Sequence, residues 1–521
     1  MDAFRVNPPL PRMAATIPVM FSRSGVPWYE RANTDQRIEF LFAGQLCRSR
    51  SPEDLRALLR RSRLCMFVFY LTGAWSAVRW ATALYGTQSG TISLALWCFS
   101  PNVLTLCAVV GPDGPAAATG LLAGYSFWKW LHLQKPRVPY GCGLAVGIAV
   151  STKFSWLCIF PLFTGVTIFH ALNSRSDVKI GVLTMKHRLN RCASQIFRLW
   201  IGFAISLFVL NATYGFDGFG QPLGRFRFVS NAFSSGDGMT NRWTDTWVSP
   251  LPVPLPTELL RGIDYLQWEL EEQKLCYLSG EWQIGGWWYF YLFAILIKMP
   301  IGFLALIVFG SVELLLGFQD RSMRRKDDWI LAIIAVAFIS MFCLSTGFTH
   351  DVRYVVPAFG FLFILASRIG LLLQSRLVKT IVGVSFASVL MSHIIGPGFA
   401  HTHFNYLGGG PHEGWRQLSF ANSDWGQSTY RLADWAERNP DKRPLTIIFR
   451  SNLGDPGRLV ESLSRVYCRS AVNGKKISLR HRPGWYLVST FQMTLPENRW
   501  LHSAQEYPFG AGDAKLLFVA N

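Results

Sequence analysis

Two stretches, Trp329–Phe348 and Thr380–Phe399, each run for about twenty residues without an Asp, Glu, Lys or Arg. A backbone that long and that apolar can satisfy its own polar groups only as a helix in a bilayer. The rest of the chain agrees. Of its 521 residues 50% are hydrophobic and 16% charged, where a soluble domain carries about a quarter. The 20 Trp and 39 Phe suit lipid-facing and interfacial surfaces. The pattern predicts a mainly α, polytopic membrane protein of about ten spans: Leu64–Leu84, Thr91–Val110, Pro115–His132, Pro139–Thr152, Phe154–Leu172, Arg198–Thr213, Trp287–Leu316, Trp329–Phe348, Val355–Leu373 and Thr380–Phe399.

The loops orient these spans. Arg175, Lys179, Lys186, Arg188 and Arg191 face the single acid Asp177 in one loop; Arg321, Arg324, Arg325 and Lys326 fill another. Lys135 with Arg137, and Arg376 with Lys379, mark two more, and the span count puts all four on one side, which the positive-inside rule makes the cytoplasm. The net charge of +19 reads as this bias rather than as a nucleic-acid surface, because the cations lie between apolar spans. Three regions then divide the chain: an extracytoplasmic amphipathic segment 1–63, a transmembrane domain 64–399 with an outside loop 214–286, and an extracytoplasmic domain 400–521. The strand-like runs Pro444–Phe449 and Trp485–Thr490 make the last a small α+β unit. An even span count leaves Arg56, Arg60, Arg61 and Arg63 outside, against the rule, and so asks for one more N-terminal span. The ten Cys form no CxxC pair or metal spacing.

Four segments carry chemistry. In YLSGEWQIGGWWYFYLFAILIKMP, Glu281 precedes a Gly-Gly hinge and an aromatic belt, and Lys298 stands about three turns inside the apolar run. A charge in a span is costly and serves function or a partner, and an ammonium there suits a phosphate; a snorkelling lysine is the bland alternative. In HDVRYVVP, His350, Arg353 and Tyr354 lie in a short outside loop, where Arg353 can fork onto phosphate oxygens or form a structural interfacial pair with Tyr354. Asp113 in VVGPDGPAAATG is a base, a metal ligand or a helix N-cap. Lys153 in STKFSW is a substrate ligand or a topological marker. Asp424, Trp425 and Gln427 read as a packed turn at a helix start, or as a binding surface of an anchored outer domain. No Gly-rich nucleotide loop is present.

These pieces, with NPPLPRMAATIP from Asn7 and the C-terminal FNYLGGGPHEGWRQLSFANSDWGQSTYRLADW, resemble the phospholipid-carrier-dependent glycosyltransferases of the dolichyl-phosphate-mannose–protein mannosyltransferase and aminoarabinose transferase superfamily. The similarity is collinear over nearly the whole chain. It implies a glycosyltransferase C-type helical membrane fold with its active site outside, a polyprenyl-phosphate-linked sugar as donor, and a protein, lipid or glycan as acceptor, with a divalent metal left open. It further implies a multi-pass protein of the bacterial inner or plasma membrane. By the resemblance, Lys298, Arg353, Tyr354, Glu281, His350 and Lys153 are substrate-binding candidates and Asp113 is the catalytic candidate. The family's leading catalytic acid lies upstream of its Asn-Pro-Pro-Leu segment, which here begins at Asn7, so that acid and one spanning helix are expected upstream of Met1. A catalytically inactive lipid-binding homologue is one alternative; a transporter or flippase is another, for which the chain lacks the internal repeat.

Overall fold

The computed structural model describes residues 7–20, 46, 50–133, 138–172, 181–236, 240–316, 324–345, 347, 351–395, 400–427, 429–443, 445–449, 465–468, 482–507, 509 and 512–520. Of the predicted orienting residues, Lys135, Arg137, Arg175, Asp177, Lys179 and Arg321 lie outside the described residues.

Helices dominate. In chain order they are α1 (Leu10–Met20), α2 (Pro52–Tyr85), α3 (Thr87–Phe99), α4 (Pro101–Ala108), α5 (Asp113–Leu133), α6 (Val138–Val150), α7 (Ile159–Leu172), α8 (Gly181–Thr213), α9 (Thr257–Glu271), α10 (Phe290–Lys298), α11 (Ile301–Leu316), α12 (Arg324–Leu344), α13 (Phe359–Ala366), α14 (Arg376–Ile395) and α15 (Thr429–Arg438). Local chemistry sets their ends. Ser51 accepts the Asp54 amide at 3.1 Å ahead of Pro52, and Glu53 and Asp54 face the positive end of α2. Gly86, at φ +90°, breaks the chain between α2 and α3.

Among the described residues four helices are long and apolar enough to cross a membrane: Glu53–Tyr85, Phe154–Leu172, Arg188–Thr213 and Asp327–Leu344. Two further pairs reach that length only when bent, by 59° between α3 and α4 and by 119° between α10 and α11. Pro139–Val150 and Val356–Leu372 are shorter apolar helices. Each of the ten predicted spans thus has a helical counterpart, but several are broken or short. Proline accounts for both bends: Pro101 opens α4 behind the Ser100 cap, and Pro300 has no amide to continue α10. Fully buried Trp80, Trp97, Trp156, Phe127, Phe163, Phe303, Phe338 and Phe359 fill the helical core. Apolar side chains outside it, such as Phe67, Leu71, Trp200, Phe208, Val308 and Leu315, stay exposed. Exposed apolar surface on helices of this length belongs against lipid.

The loop after α8 is pinned by carboxylates of α9: Asp264 accepts the Val229 and Ser230 amides at 2.8 and 3.0 Å, and Glu271 those of Asn231 and Ala232 at 2.6 and 3.0 Å. A hairpin follows, β1 (Leu275–Leu278) paired antiparallel with β2 (Glu281–Ile284). The C-terminal unit is a five-stranded mixed sheet built from β3 (Leu445–Phe449), β4 (Arg465–Cys468), β5 (Gly484–Ser489), β6 (Gln505–Tyr507) and β7 (Ala514–Val519), in the order β4-β3-β5-β7-β6. Strands β4, β3 and β5 run parallel; β7 opposes β5 and β6. This is the expected small α+β unit beside a mainly helical body. The hairpin docks onto it through Trp282, whose indole donates to Thr494 O at 3.0 Å.

Candidate active site

The bend between α10 and α11 builds one wall of the site. A helix that stops leaves its last carbonyls without amide partners, which an apolar surrounding cannot leave unpaired. Here the partners are asparagines. Asn102 Nδ2 donates to Lys298 O at 2.9 Å. Asn405 Nδ2 donates to Leu296 O and Met299 O at 2.7 and 2.8 Å, and its backbone amide to Ile297 O at 2.8 Å. Lys298 is therefore the last residue of α10 rather than a charge in the middle of a span, and its ammonium sits where a helix C-terminus favours a cation. Its side chain is buried, donates to His401 O at 2.9 Å and Asn422 O at 2.6 Å, and lies 4.2 Å from the Phe404 ring centre.

Asp113 opens α5, and Lys153 ends the turn between α6 and the 3-10 segment Phe154–Cys158. Both are buried, and Lys153 Nζ meets Asp113 Oδ1 at 2.6 Å. The 3-10 turn Val352–Tyr354 brings up the opposite side. Asp351 caps it by accepting the Arg353 amide at 3.1 Å, and its Oδ2 lies 3.2 Å from Arg353 Nε. Arg353 Nε is also 3.8 Å from Asp113 Oδ2. The guanidinium stands between two rings, 5.2 Å from Tyr354 and 5.1 Å from Trp425, while Lys153 lies 4.9 Å from the Tyr354 ring. Three basic side chains, Lys153, Lys298 and Arg353, and two carboxylates, Asp113 and Asp351, thus converge, an array suited to an anionic ligand.

The segment after α14 closes the cluster. Asn422 Oδ1 accepts the Val352 amide at 3.0 Å, and the His401 ring stacks on Trp425 at 4.9 Å. The Trp425 turn holds itself: Asp424 Oδ1 accepts the Gly426 amide at 2.8 Å, Gln427 Oε1 the Trp425 amide at 2.6 Å, and Gln427 Nε2 donates to Ser423 O at 3.1 Å. The packed turn expected at Asp424, Trp425 and Gln427 is present, with the Trp425 ring over Arg353. Burial first, then the charges of Lys298 and Arg353, hold the His401 imidazole down to about 3. Burial pushes the Asp351 carboxyl up, and Arg353 pulls against it.

Two spaces adjoin the cluster. A small one of about 20 Å³ is lined by Lys298, Asp351, Arg353, His401, Asn422 and Trp425. A larger one of about 410 Å³ is mostly apolar and runs past Pro300, Ile301, Val384, His403 and Phe404; Ala400 borders both.

Of the predicted site residues, Asp113, Lys153, Lys298, Arg353 and Tyr354 come together. Glu281 does not join them: it is exposed in β2, opposite Leu278. His350 lies outside the described residues. Sequence reasoning missed Asp351, Asn102, His401, Asn405 and Asn422. Asp351 stood two residues from Arg353 in a segment already singled out; Asn405 and Asn422 stood in the C-terminal motif, quoted there without a role. Among the described residues no group of three or more His, Cys, Asp or Glu is arranged to hold a metal ion.

Residues 58–185 match the family described as dolichyl-phosphate-mannose-protein mannosyltransferase. No curated protein matches the chain. Among solved structures it is similar to ArnT from Cupriavidus metallidurans in the apo state, with 14% identity, a TM-score of 0.42, and coverage of 88% of this chain and 83% of that one. It is similar to the same protein bound to undecaprenyl phosphate at 12% identity, TM-score 0.43, with 98% and 87% covered. A third is the archaeal oligosaccharyltransferase AglB from Archaeoglobus fulgidus, in complex with an inhibitory peptide and a dolichol-phosphate, at 13% identity, TM-score 0.39, with 86% and 59% covered. Residues 58–185, the part that carries Asp113 and Lys153, are thus similar to the dolichyl-phosphate-mannose-protein mannosyltransferase family.

Proposed function

We propose that the chain is a membrane glycosyltransferase that moves a sugar from a polyprenyl-phosphate donor to a hydroxyl acceptor on the outer face of a bacterial inner or plasma membrane. In this reading the helices within 64–399 form the membrane domain, and 400–521 is extracytoplasmic. One observation carries it. Arg353 and Lys153, with Lys298 beside them, meet at one site, and Ala400 borders both its small space and an apolar cavity of about 410 Å³. A phosphate with a hydrocarbon tail presents the complementary pair of surfaces. The family match over residues 58–185 supports the same donor class.

The chemistry follows from the charges. As the bond from the sugar's anomeric carbon to the phosphate oxygen breaks, negative charge grows on the departing polyprenyl phosphate, and fixed cations stabilise that charge most when water is excluded. Arg353 offers a planar fork of donors, with Asp113 and Asp351 beside it as counter-charges. The small space of about 20 Å³ holds little more than one water, so the headgroup enters by displacing the Trp425 turn.

The test is direct binding of undecaprenyl phosphate to the detergent-purified chain and to Arg353→Ala. A charge-assisted hydrogen bond contributes about 1.5–3 kcal/mol, so the variant should bind at least about tenfold more weakly. Equal binding by both proteins, or binding by neither, contradicts the reading.

A further inference from the structure

The chain leaves α8 in a conformation that side chains rarely adopt. Phe216 stands at φ +57°, directly after Gly215 at +62°, and its amide donates to Asn211 O at 2.9 Å to close the last turn. Glycine takes that region without strain; a bulky residue there is held against a steric cost. Burial in the protein does not offset that cost, because Phe216 remains 42% exposed. Its neighbours show what does. The Phe216 ring lies 5.5 Å from Phe208, which is 63% exposed on α8 within the membrane-length stretch Arg188–Thr213. On its other side it lies 6.1 Å from Phe219, which is 54% exposed. Three rings thus run unbroken from the flank of a spanning helix onto the segment that follows it.

That segment is a ribbon with a fixed base. Its two sides pair through Gly220 N to Val253 O at 2.9 Å, Leu223 N to Leu251 O at 3.0 Å and Gly224 N to Ser249 O at 2.9 Å. At the base, Asn211 Nδ2 donates to Pro254 O and the Thr257 amide to Asp217 O, both at 3.1 Å, so the ribbon starts at the level where α8 ends. The returning side adds exposed Leu251 and Trp247, the latter 84% exposed. Residues 214–256 carry three arginines and three aspartates, so no net charge directs this surface to an anionic partner. Exposed aromatic and apolar side chains, without net charge and continuous with the lipid-facing flank of a helix, suit the interfacial zone of a bilayer.

We propose that the ribbon formed by residues 217–225 and 246–253 seats on the bilayer at the end of α8, with Phe216, Phe219 and Trp247 in the headgroup zone. Its partner is a lipid surface held by apolar contact, whatever donor the active site takes.

The experiment places a benzophenone amino acid at Phe208, Phe219, Trp247 or Arg499 of the full chain, reconstituted in liposomes of tritiated phosphatidylcholine. On illumination, lipid adducts are expected at 208, 219 and 247 but not at Arg499, which is exposed in the C-terminal unit. Adding phosphatidylglycerol should leave the yields at 219 and 247 unchanged, since the ribbon's charges cancel. Failure of either position to take lipid overturns the proposal, as does a crosslink to protein in place of lipid, or a yield that needs phosphatidylglycerol. Failure at 208 overturns it too, by removing the lipid face that the ribbon continues. Hydroxyl-radical oxidation of the unsubstituted chain in membranes serves should the replacements fail to fold. Trp247 should then react several-fold less than the half-buried Trp500, because lipid covers it. Greater reaction at Trp247 than at Trp500 contradicts a lipid seat.

Discussion

Asn405 does for the broken helix what the next turn does for an intact one. Its side chain and amide cover three of the carbonyls that α10 leaves exposed, and Asn102 covers a fourth. Asn405→Leu should therefore orphan Leu296 O and Met299 O, at about 1–3 kcal/mol each, and lower the thermal midpoint of the purified protein. An unchanged midpoint would mean that the bend has other support. Lys298 shows what a residue pattern conveys and what it does not. A lone ammonium in an apolar run signals a partner, and its partners are there, but they are main-chain carbonyls from residues 401 and 422. Sequence spacing cannot announce a contact made across more than a hundred positions. Asp351 was missed for a different reason: beside Arg353 it reads as a routine loop acid, and only burial reveals its bare oxygen.

At the scale of elements, a second buried charge cluster ties four helical segments together at the ends of α2, α11 and α12. Arg368, in the 3-10 continuation of α13, pairs with Glu313 of α11 and Asp328 of α12, and Tyr85 of α2 donates to Asp328. Removing one partner strands the others in low dielectric. Arg368→Met should cost about 3–5 kcal/mol, and adding Glu313→Gln and Asp328→Asn should recover part of it; denaturation of the three proteins in detergent checks both. Close backbone packing gives a sharper test. A Cβ on Gly114 would lie 2.4 Å from Leu106 O and 2.8 Å from Cys107 N, both main-chain atoms, so Gly114→Ala must push α4 from the head of α5. Asp113 is the adjoining residue, and this change should lower transfer activity more than it lowers protein yield. The existence of the helices was legible because apolar runs have few alternatives. Their breaks were less so: Pro300 was visible, but a 119° bend depends on the asparagines that stabilise it.

For the whole molecule, the segment from His401 to Gln427 joins the helical body to the C-terminal sheet, and its docking should be sensitive to acid. Burial, followed by nearby positive charge, holds both His401 and His403 down to about 3, against 6.5 in an unfolded chain. The folded values are depressed, so the unfolded state binds the proton first. The stability present above about 6.5 is then lost as pH falls toward 3, at about 1.4 kcal/mol per pH unit for each histidine. Between pH 7 and 5 hydrogen exchange over residues 400–427 should therefore speed up, and His403→Gln should reduce that response. The two-part organisation was readable from composition, since charge and turn residues return after residue 400. The coupling between the parts was not, because it runs through main-chain carbonyls and one tryptophan ring.

The central claim, a glycosyltransferase that uses a lipid-phosphate donor, is tested most directly by sugar transfer. Membranes containing the wild-type chain or Arg353→Ala would be given a panel of radiolabelled undecaprenyl-phosphate sugars, and label leaving the donor for membrane-associated acceptors would be followed. The account predicts transfer from at least one donor by the wild type, and a loss of about tenfold or more in Arg353→Ala. No transfer from any donor by a folded wild type, or equal transfer by both proteins, would contradict it.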